Sequence, residues 1–366
     1  MKTESAKAEL VVSLEDYEGL AKSCLDKAAF DYISSGSGDG YTLRRNREAF
    51  QSAELLPRVL VDVSRLDTRI EIFGRVHEFP VLLAPTGYHK LFHPDGELET
   101  VRGANLSGAT LVASCFSTVE YGEMRRQSAD PLWFQLYFNP DRGFTRELVD
   151  SIVEAGCEAI VITVDVPVNS PKDRQYSSDF RLPDGLMRAN LSRLGQEVAA
   201  ASHRAAGRNI YNAVRAANAT WKDIEWLRSI VPIPLVMKGV LRGEDARTAV
   251  TAGCDGIIVS NHGGRALDGV PATFDVLPGI VDSMRGEGLV LMDGGLRRGV
   301  EVLKALARGA HAVLIGRPYL HGLTVRGAQG VKEVVDMLRL ELEMAMALTG
   351  CRSLKEIDAS LLRSIH

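Results

Sequence analysis

Short apolar runs rich in Val, Ile and Leu recur through most of the chain, each closing on a polar or glycine cluster and followed by a helical pattern. Eight of them read as strands: VLLAPT from Val81, ATLVAS from Ala109, LWFQLY from Leu132, AIVITVD from Ala159, PLVMKG from Pro234, GIIVSN from Gly256, LVLMDGG from Leu289 and AVLIGRP from Ala312. Their hydrophobicity is nearly continuous, as strands covered on both faces of a parallel sheet require. They begin roughly 22–33 residues apart, the period of a βα unit, with one gap of about 75 after the fourth. Three junctions, EAGCEAIVIT, TAGCDGIIVS and ARGAHAVLIG, repeat the same sequence of helix end, glycine and buried strand. The pattern predicts a (β/α)8 TIM barrel. A doubly wound open sheet would need a reversal of strand order that nothing here signals.

Two stretches fall outside the repeat. Residues 1–80 hold a helical LEDYEGLAKSCLDKAAFDYI, a glycine-serine turn and a second helical pattern, expected to form an N-terminal cap packed on a barrel of residues 81–366. The long gap holds MRANLSRLGQEVAAASHRAAGRNIYNAVRAAN, an insertion after strand four on the face where barrel active sites are built. A mobile lid within residues 183–220 is the expectation there.

Composition excludes several classes. The 366 residues carry 43 Lys+Arg against 47 Asp+Glu, a formal net charge of −4, so a basic nucleic-acid-coating protein is excluded. Five scattered cysteines without a C-x-x-C pair argue against a disulfide framework and against a metal site. The first residues lack the apolar core of a secretory signal, and no run reaches the ~18 apolar residues of a membrane span. The expectation is a cytoplasmic protein. Its 34 glycines exceed the usual ~7% of a chain, and many fall at strand ends.

Those ends carry the candidate chemistry, because barrel active sites are built at the C-terminal ends of strands. Thr86 and Gly87 follow strand one, Ser114 strand two, Gln135 and Tyr137 strand three, and Thr163 and Asp165 strand four. Lys238 follows strand five, Ser260, Asn261 and His262 strand six, Asp293, Gly294, Gly295 and Arg297 strand seven, and Gly316 and Arg317 strand eight. Glycine turns followed by Arg after strands seven and eight match the usual phosphate site of this fold. His262 suits general-base work near neutral pH, and Asp165 can fix its tautomer and stabilise its imidazolium. Arg265 offers a planar fork for a carboxylate. Lys238 suits either a Schiff-base nucleophile or a fixed charge beside a cofactor, and its position alone does not separate the two.

At these residues the chain resembles the FMN-dependent 2-hydroxy acid oxidase and dehydrogenase family. The matching stretches, in family order, are FDYISSG, APTGYHKLFHPDGE, WFQLY, ITVDVP, VMKGV, SNHGGRALD, MDGGLRRG, IGRP and GCRSLKEI. The resemblance implies one FMN at the barrel mouth, met by Thr86, Gly87, Ser114, Gln135, Thr163 and Ser260. Lys238 would sit beside the flavin, which decides against the Schiff base. Asp293, Gly295, Arg297, Gly316 and Arg317 would hold the phosphate end. An L-2-hydroxy acid would be clamped by Arg265 and Tyr32, bonded at its hydroxyl by Tyr137 and deprotonated there by His262, with Asp165 paired to His262. The α-hydrogen would leave as hydride, or as a proton in an older carbanion scheme that uses the same residues. Oxygen is the expected acceptor, a quinone or carrier protein the alternative, and a homotetramer or octamer the expected assembly. A non-redox FMN isomerase and an inactive flavin-binding relic are the competing readings.

Three departures bear on substrate choice. Where the family has an Arg-x-Gly-Arg-Arg pattern, this chain reads VNSPKDRQYSSDF, with Lys172 at the ungapped counterpart of the substrate-side Arg and Arg174 two residues on. The loop after strand two is shorter, which puts Phe116 at the bulky pocket position. Gly87 stands where glycolate and lactate oxidases have Ala, and is expected to open room beside the flavin.

Overall fold

The computed structural model describes residues 10–178, 180, 182–195 and 210–364. Eight parallel strands run in chain order around one sheet: β1 (Val81–Leu83), β2 (Val112–Ser114), β3 (Trp133–Leu136), β4 (Ile160–Thr163), β5 (Leu235–Val240), β6 (Gly256–Val259), β7 (Leu289–Asp293) and β8 (Ala312–Ile315). The first and last pair through Val81↔Val313, Leu82↔Leu314 and Leu83↔Ile315. Between β1 and β2 the ring closes through a single bridge, Leu83↔Leu111, and a bond from the Leu83 N–H to the Thr110 carbonyl at 2.9 Å. This is a TIM barrel, and all eight expected strands lie where the apolar runs put them.

Register explains how the barrel becomes a site. Val112, Trp133, Val161, Val236, Ile258 and Leu291 fill the barrel interior as one packed cluster. Strand side chains repeat every second residue, so the next inward positions are Ser114, Gln135, Thr163, Lys238, Ser260 and Asp293. On six successive strands the interior therefore switches from apolar to polar within one step. The outward residues of the same strands, such as Phe134, Ile160, Ile162, Ile257 and Met292, pack under the helices in the larger core. Burial on both faces is what the unbroken apolar runs encode.

The N-terminal segment serves both ends of the barrel. A hairpin, Ile70–Ile72 paired with Arg75–His77, brings Ile72 and Phe73 against the interior cluster at the strand-start end. There Arg75 pairs with Glu158 at 2.6 Å, and Glu158 accepts the Trp133 indole N–H at 2.7 Å. The helices Leu14–Cys24, Lys27–Ser34 and Tyr41–Glu48 belong to the opposite end. The Ser37 N–H donates to the Gly264 carbonyl at 2.8 Å, and the Thr42 N–H to Asp268 at 2.8 Å. Asn46 and Asn261 exchange two amide bonds, both 2.8 Å, while buried. A buried amide without such a partner costs about 1–3 kcal/mol, so this pair ties the N-terminal segment to the loop after β6.

After β4 the chain forms the short helix Asp173–Ser177 and a 3-10 turn at Ala189–Leu194, and it rejoins the barrel through the helix Trp221–Ile230. Residues 196–209, the middle of the expected lid, lie outside the described residues. No helix among the described residues is long and apolar enough to cross a membrane.

Candidate active site

The polar ring floors a cavity of about 510 Å³ at the C-terminal mouth, a size suited to small ligands and cofactors. Of the residues singled out from the sequence, all but Asp165, Arg174, Ser260 and Asn261 line it. Ser260, expected to meet the cofactor, is fully buried. Its Oγ accepts from Lys238 Nζ at 2.7 Å and from the His262 N–H at 3.1 Å. It holds two site residues in place.

His262 adopts φ 59°, the left-handed region, followed by Gly263 and Gly264 at 61° and 75°. This tight turn points its imidazole back over the barrel, where Nδ1 lies 2.9 Å from Asp165 Oδ1. Burial lowers the His262 pKa below its ordinary value, and the attraction of Asp165 offsets this only in part. For Asp165, burial alone would raise the pKa, but His262 and Lys238 outweigh it and keep the carboxylate ionised. The pair thus holds a neutral imidazole with its proton on the Asp165 side, so Nε2 is left as an acceptor.

Lys238 Nζ sits 2.9 Å from Asp293 Oδ2 and is 4% exposed. Burial works against its charge, yet Asp293 and Asp165 prevail and raise its pKa. It is a fixed cation. Asp293, expected with the phosphate group of residues, instead lies on Lys238, with Oδ1 buried and unbonded.

Arg317 starts the helix Arg317–Thr349, whose first N–H groups have no intrahelical acceptor. Its guanidinium donates to the carbonyls of Ile33 (2.8 Å), Gly263 (3.0 Å) and Ser35 (3.1 Å). Burial, with Arg265 and Arg297 nearby, pushes its pKa down to about 9. Arg297 is buried, with Nε unbonded. Among the described residues neither Arg forms an ion pair, an arrangement that favours an arriving anion.

Arg265 donates to the carbonyls of Tyr32 at 2.5 Å and Ser35 at 3.0 Å, and its Cζ lies 5.0 Å from the Tyr32 ring centre. Lys172 donates to the Arg265 carbonyl. Burial and the neighbouring Arg265, Arg317 and Arg215 push Lys172 down to about 6. Burial raises the pKa of Tyr137, so its phenol stays a donor. Phe116 packs 5.2 Å from the Tyr137 ring. Gly87 is packed against Phe116, since a Cβ there would meet the Phe116 Cβ at 3.0 Å and its carbonyl oxygen at 3.3 Å. Thr86 Oγ1 is engaged by His89 at 2.7 Å and by Tyr319.

Three site residues escaped the sequence reading. Gly239, at φ 106°, interrupts the β5–β6 register so that the backbone passes close to Asp165. Arg188 and Arg215, from the insertion after β4, line the cavity beside Phe116 and Tyr137. Their local sequence, single arginines among Ala and Asn, has no periodicity that would aim them inward.

Residues 21–364 match the family described as FMN-dependent dehydrogenase. The chain is 46% identical to the L-lactate oxidase of a Nostoc species over 96% of this chain and 98% of that one. It is 40% identical to human 2-hydroxyacid oxidase 1, covering 96% of each. Among solved structures, that of a mandelate oxidase superposes with a TM-score of 0.87 at 39% identity, over 97% of this chain and 99% of that one.

Proposed function

Because the chain belongs to the FMN-dependent dehydrogenase family and is an oxidoreductase of its 2-hydroxy acid oxidase type, we propose the residue roles by which it converts an L-2-hydroxy acid to the 2-oxo acid. The observation that carries the proposal is the His262–Asp165 pair, 2.9 Å apart at the cavity floor.

The mouth fits FMN. Gln135 Nε2, Thr163 Oγ1, Asp293 Oδ1 and Arg297 Nε are buried without a hydrogen-bond partner, a mixed donor and acceptor set that suits a flavin ring, ribityl hydroxyls and a phosphate. Buried polar atoms are normally satisfied, so these orphans support a bound polar ligand. Arg297, Arg317 and Gly316 would take the phosphate, Asp293 a ribityl hydroxyl, and Ser114, Gln135, Thr163 and Lys238 the ring. When bound, FMN supplies the two-electron acceptor for the α-hydrogen and passes the electrons on, in our reading to oxygen.

The protein's own groups do the rest. Arg265 and Tyr32 hold the carboxylate, with Lys172 beside them. Tyr137 donates to the substrate hydroxyl and orients it. His262 Nε2 takes the hydroxyl proton as the α-hydrogen leaves, and the Asp165 carboxylate stabilises the imidazolium that forms. Lys238, fixed by Asp293 and Ser260, offers positive charge where negative charge develops. The isomerase reading leaves Arg265, Tyr32 and the His262–Asp165 pair without a task, and the intact pair speaks against a relic. Homotetramer or octamer assembly remains part of the proposal on the family resemblance, and a cytoplasmic location and a lid within 183–220 remain part of it on the sequence reading alone.

Anaerobic titration of the yellow protein with 2-hydroxy acids tests the scheme. Bleaching is expected in the wild type, and its loss with FMN retained in His262→Ala. Full-rate bleaching of that variant would overturn the role of His262.

A further inference from the structure

Part of the insertion after β4 is fastened to the loop after β2. The Ala189 N–H donates to the Ser117 carbonyl at 2.9 Å, and Asn190 Oδ1 accepts the Tyr121 N–H at 2.8 Å. The Asn190 amide donates in turn to the Val119 carbonyl at 3.4 Å, and Leu191 is buried in the hydrophobic core. Three consecutive residues are tied down.

The residue that this clamp carries into the cavity is Arg188. It lines the cavity and is 1% exposed. Its Nε donates to the Tyr88 hydroxyl at 2.6 Å, and its Cζ lies 4.4 Å from the Phe116 ring centre and 5.7 Å from that of Tyr88. Those two ring centres are 6.1 Å apart, and Phe116 packs on Tyr137 at 5.2 Å. On its other side Tyr88 meets Tyr32 at 5.9 Å, and Tyr32 in turn packs against Arg265. A ligand whose carboxylate is held by Arg265 and Tyr32 has Tyr88 and Phe116 beside it, and the Arg188 side chain lies over those two rings.

We propose that Arg188 is a specificity-determining residue: its stacked side chain is the end wall of the substrate's side-chain pocket and restricts the enzyme to 2-hydroxy acids with tails of a few carbons. The inference rests on the oxidase reading above and narrows its substrate class. Arg188 acts here through its bulk. A guanidinium stacked on an aromatic face fills space as a flat plate, and its methylene stem adds apolar surface. Because Ala189 and Asn190 are both anchored, the plate cannot swing aside without breaking bonds to the loop after β2. A longer tail would have to displace it and forfeit the Tyr88 bond and the Phe116 stacking.

The test measures kcat/KM of the holoenzyme for lactate, 2-hydroxyvalerate and 2-hydroxyoctanoate. Each methylene that finds an apolar site is worth about fourfold, so a wall that excludes several should leave the better short acid roughly tenfold or more ahead of 2-hydroxyoctanoate in the wild type. Arg188→Ala opens the pocket end, and the ratio of 2-hydroxyoctanoate to that short acid is expected to rise roughly tenfold or more. Arg188→Met, which conserves much of the volume and reach, should keep the ratio within about threefold of wild type. Should Arg188→Ala lose its flavin spectrum, Asn190→Ala, which unfastens the segment, is read by the same ratio. A wild type that takes 2-hydroxyoctanoate as well as the short acids, an unchanged ratio in the opened variant, or an equal rise in Arg188→Met overturns the inference alone. Failure of every acid, mandelate included, to bleach the flavin overturns the oxidase reading together with it.

Discussion

A Cβ added to Gly239 would lie 2.6 Å from the Cβ of Asp165. The β5 backbone therefore presses directly on the residue that fixes His262. With φ at 106°, the position also strains any other residue. Gly239→Ala is expected to displace Asp165 and slow flavin reduction about 10- to 100-fold, a cost typical of an ångström-scale misplacement. FMN binding should persist. Stopped-flow reduction at wild-type rate would show that the contact is tolerated.

Asp165→Asn replaces an acceptor with a group that can donate to His262 Nδ1. That moves the imidazole proton to Nε2, the nitrogen needed as a base. Flavin reduction is expected to fall by roughly 10²–10⁴-fold, the range seen when a supporting carboxylate is lost. A loss under tenfold in anaerobic single-turnover measurements would deny Asp165 this role.

Two groups set opposite pH trends. The pKa of His262 is lowered by burial, so the neutral base persists below the ordinary value near 6.5. The acid limb of kcat should therefore lie below that value. Lys172, at about 6, is cationic only below that pH, so carboxylate binding weakens as pH rises. KM for a 2-hydroxy acid is expected to climb by up to about tenfold between pH 6 and 8. Lys172→Arg, charged throughout, should flatten the climb. A KM profile identical in both proteins would remove Lys172 from substrate binding.

Arg297 has a buried, unbonded Nε and no ion pair among the described residues. Arg297→Met keeps the volume but removes a cation that burial destabilises. FMN affinity should fall roughly 10- to 100-fold, while the flavin-free protein melts at an equal or higher temperature. Unchanged FMN titration would place the phosphate elsewhere.

Much of this site was legible in the sequence because a barrel strand is a local code. Val161-Ile-Thr163 and Val236-Met-Lys238 each name an apolar interior residue and, two positions on, the polar one that faces the mouth. The excess glycine also found addresses, at Gly263 beside Arg317 and Gly264 beside Leu43. What stayed hidden was long-range. Nothing near Asn46 announces Asn261, and nothing near Ser260 shows that it supports Lys238 and His262 without facing the cavity.

The sequence by itself determined the eight βα units, their order and the residue closing each strand, because burial on two faces and a period of two are properties of short segments. Only the tertiary structure decided that Gly239 touches Asp165, that the N-terminal segment serves both ends of the barrel, and that Arg188 and Arg215 turn into the cavity. Those outcomes depend on ring closure, which brings distant loops over one mouth. Contacts between loops are fixed by the shape that the strands build, and no short stretch of sequence encodes them.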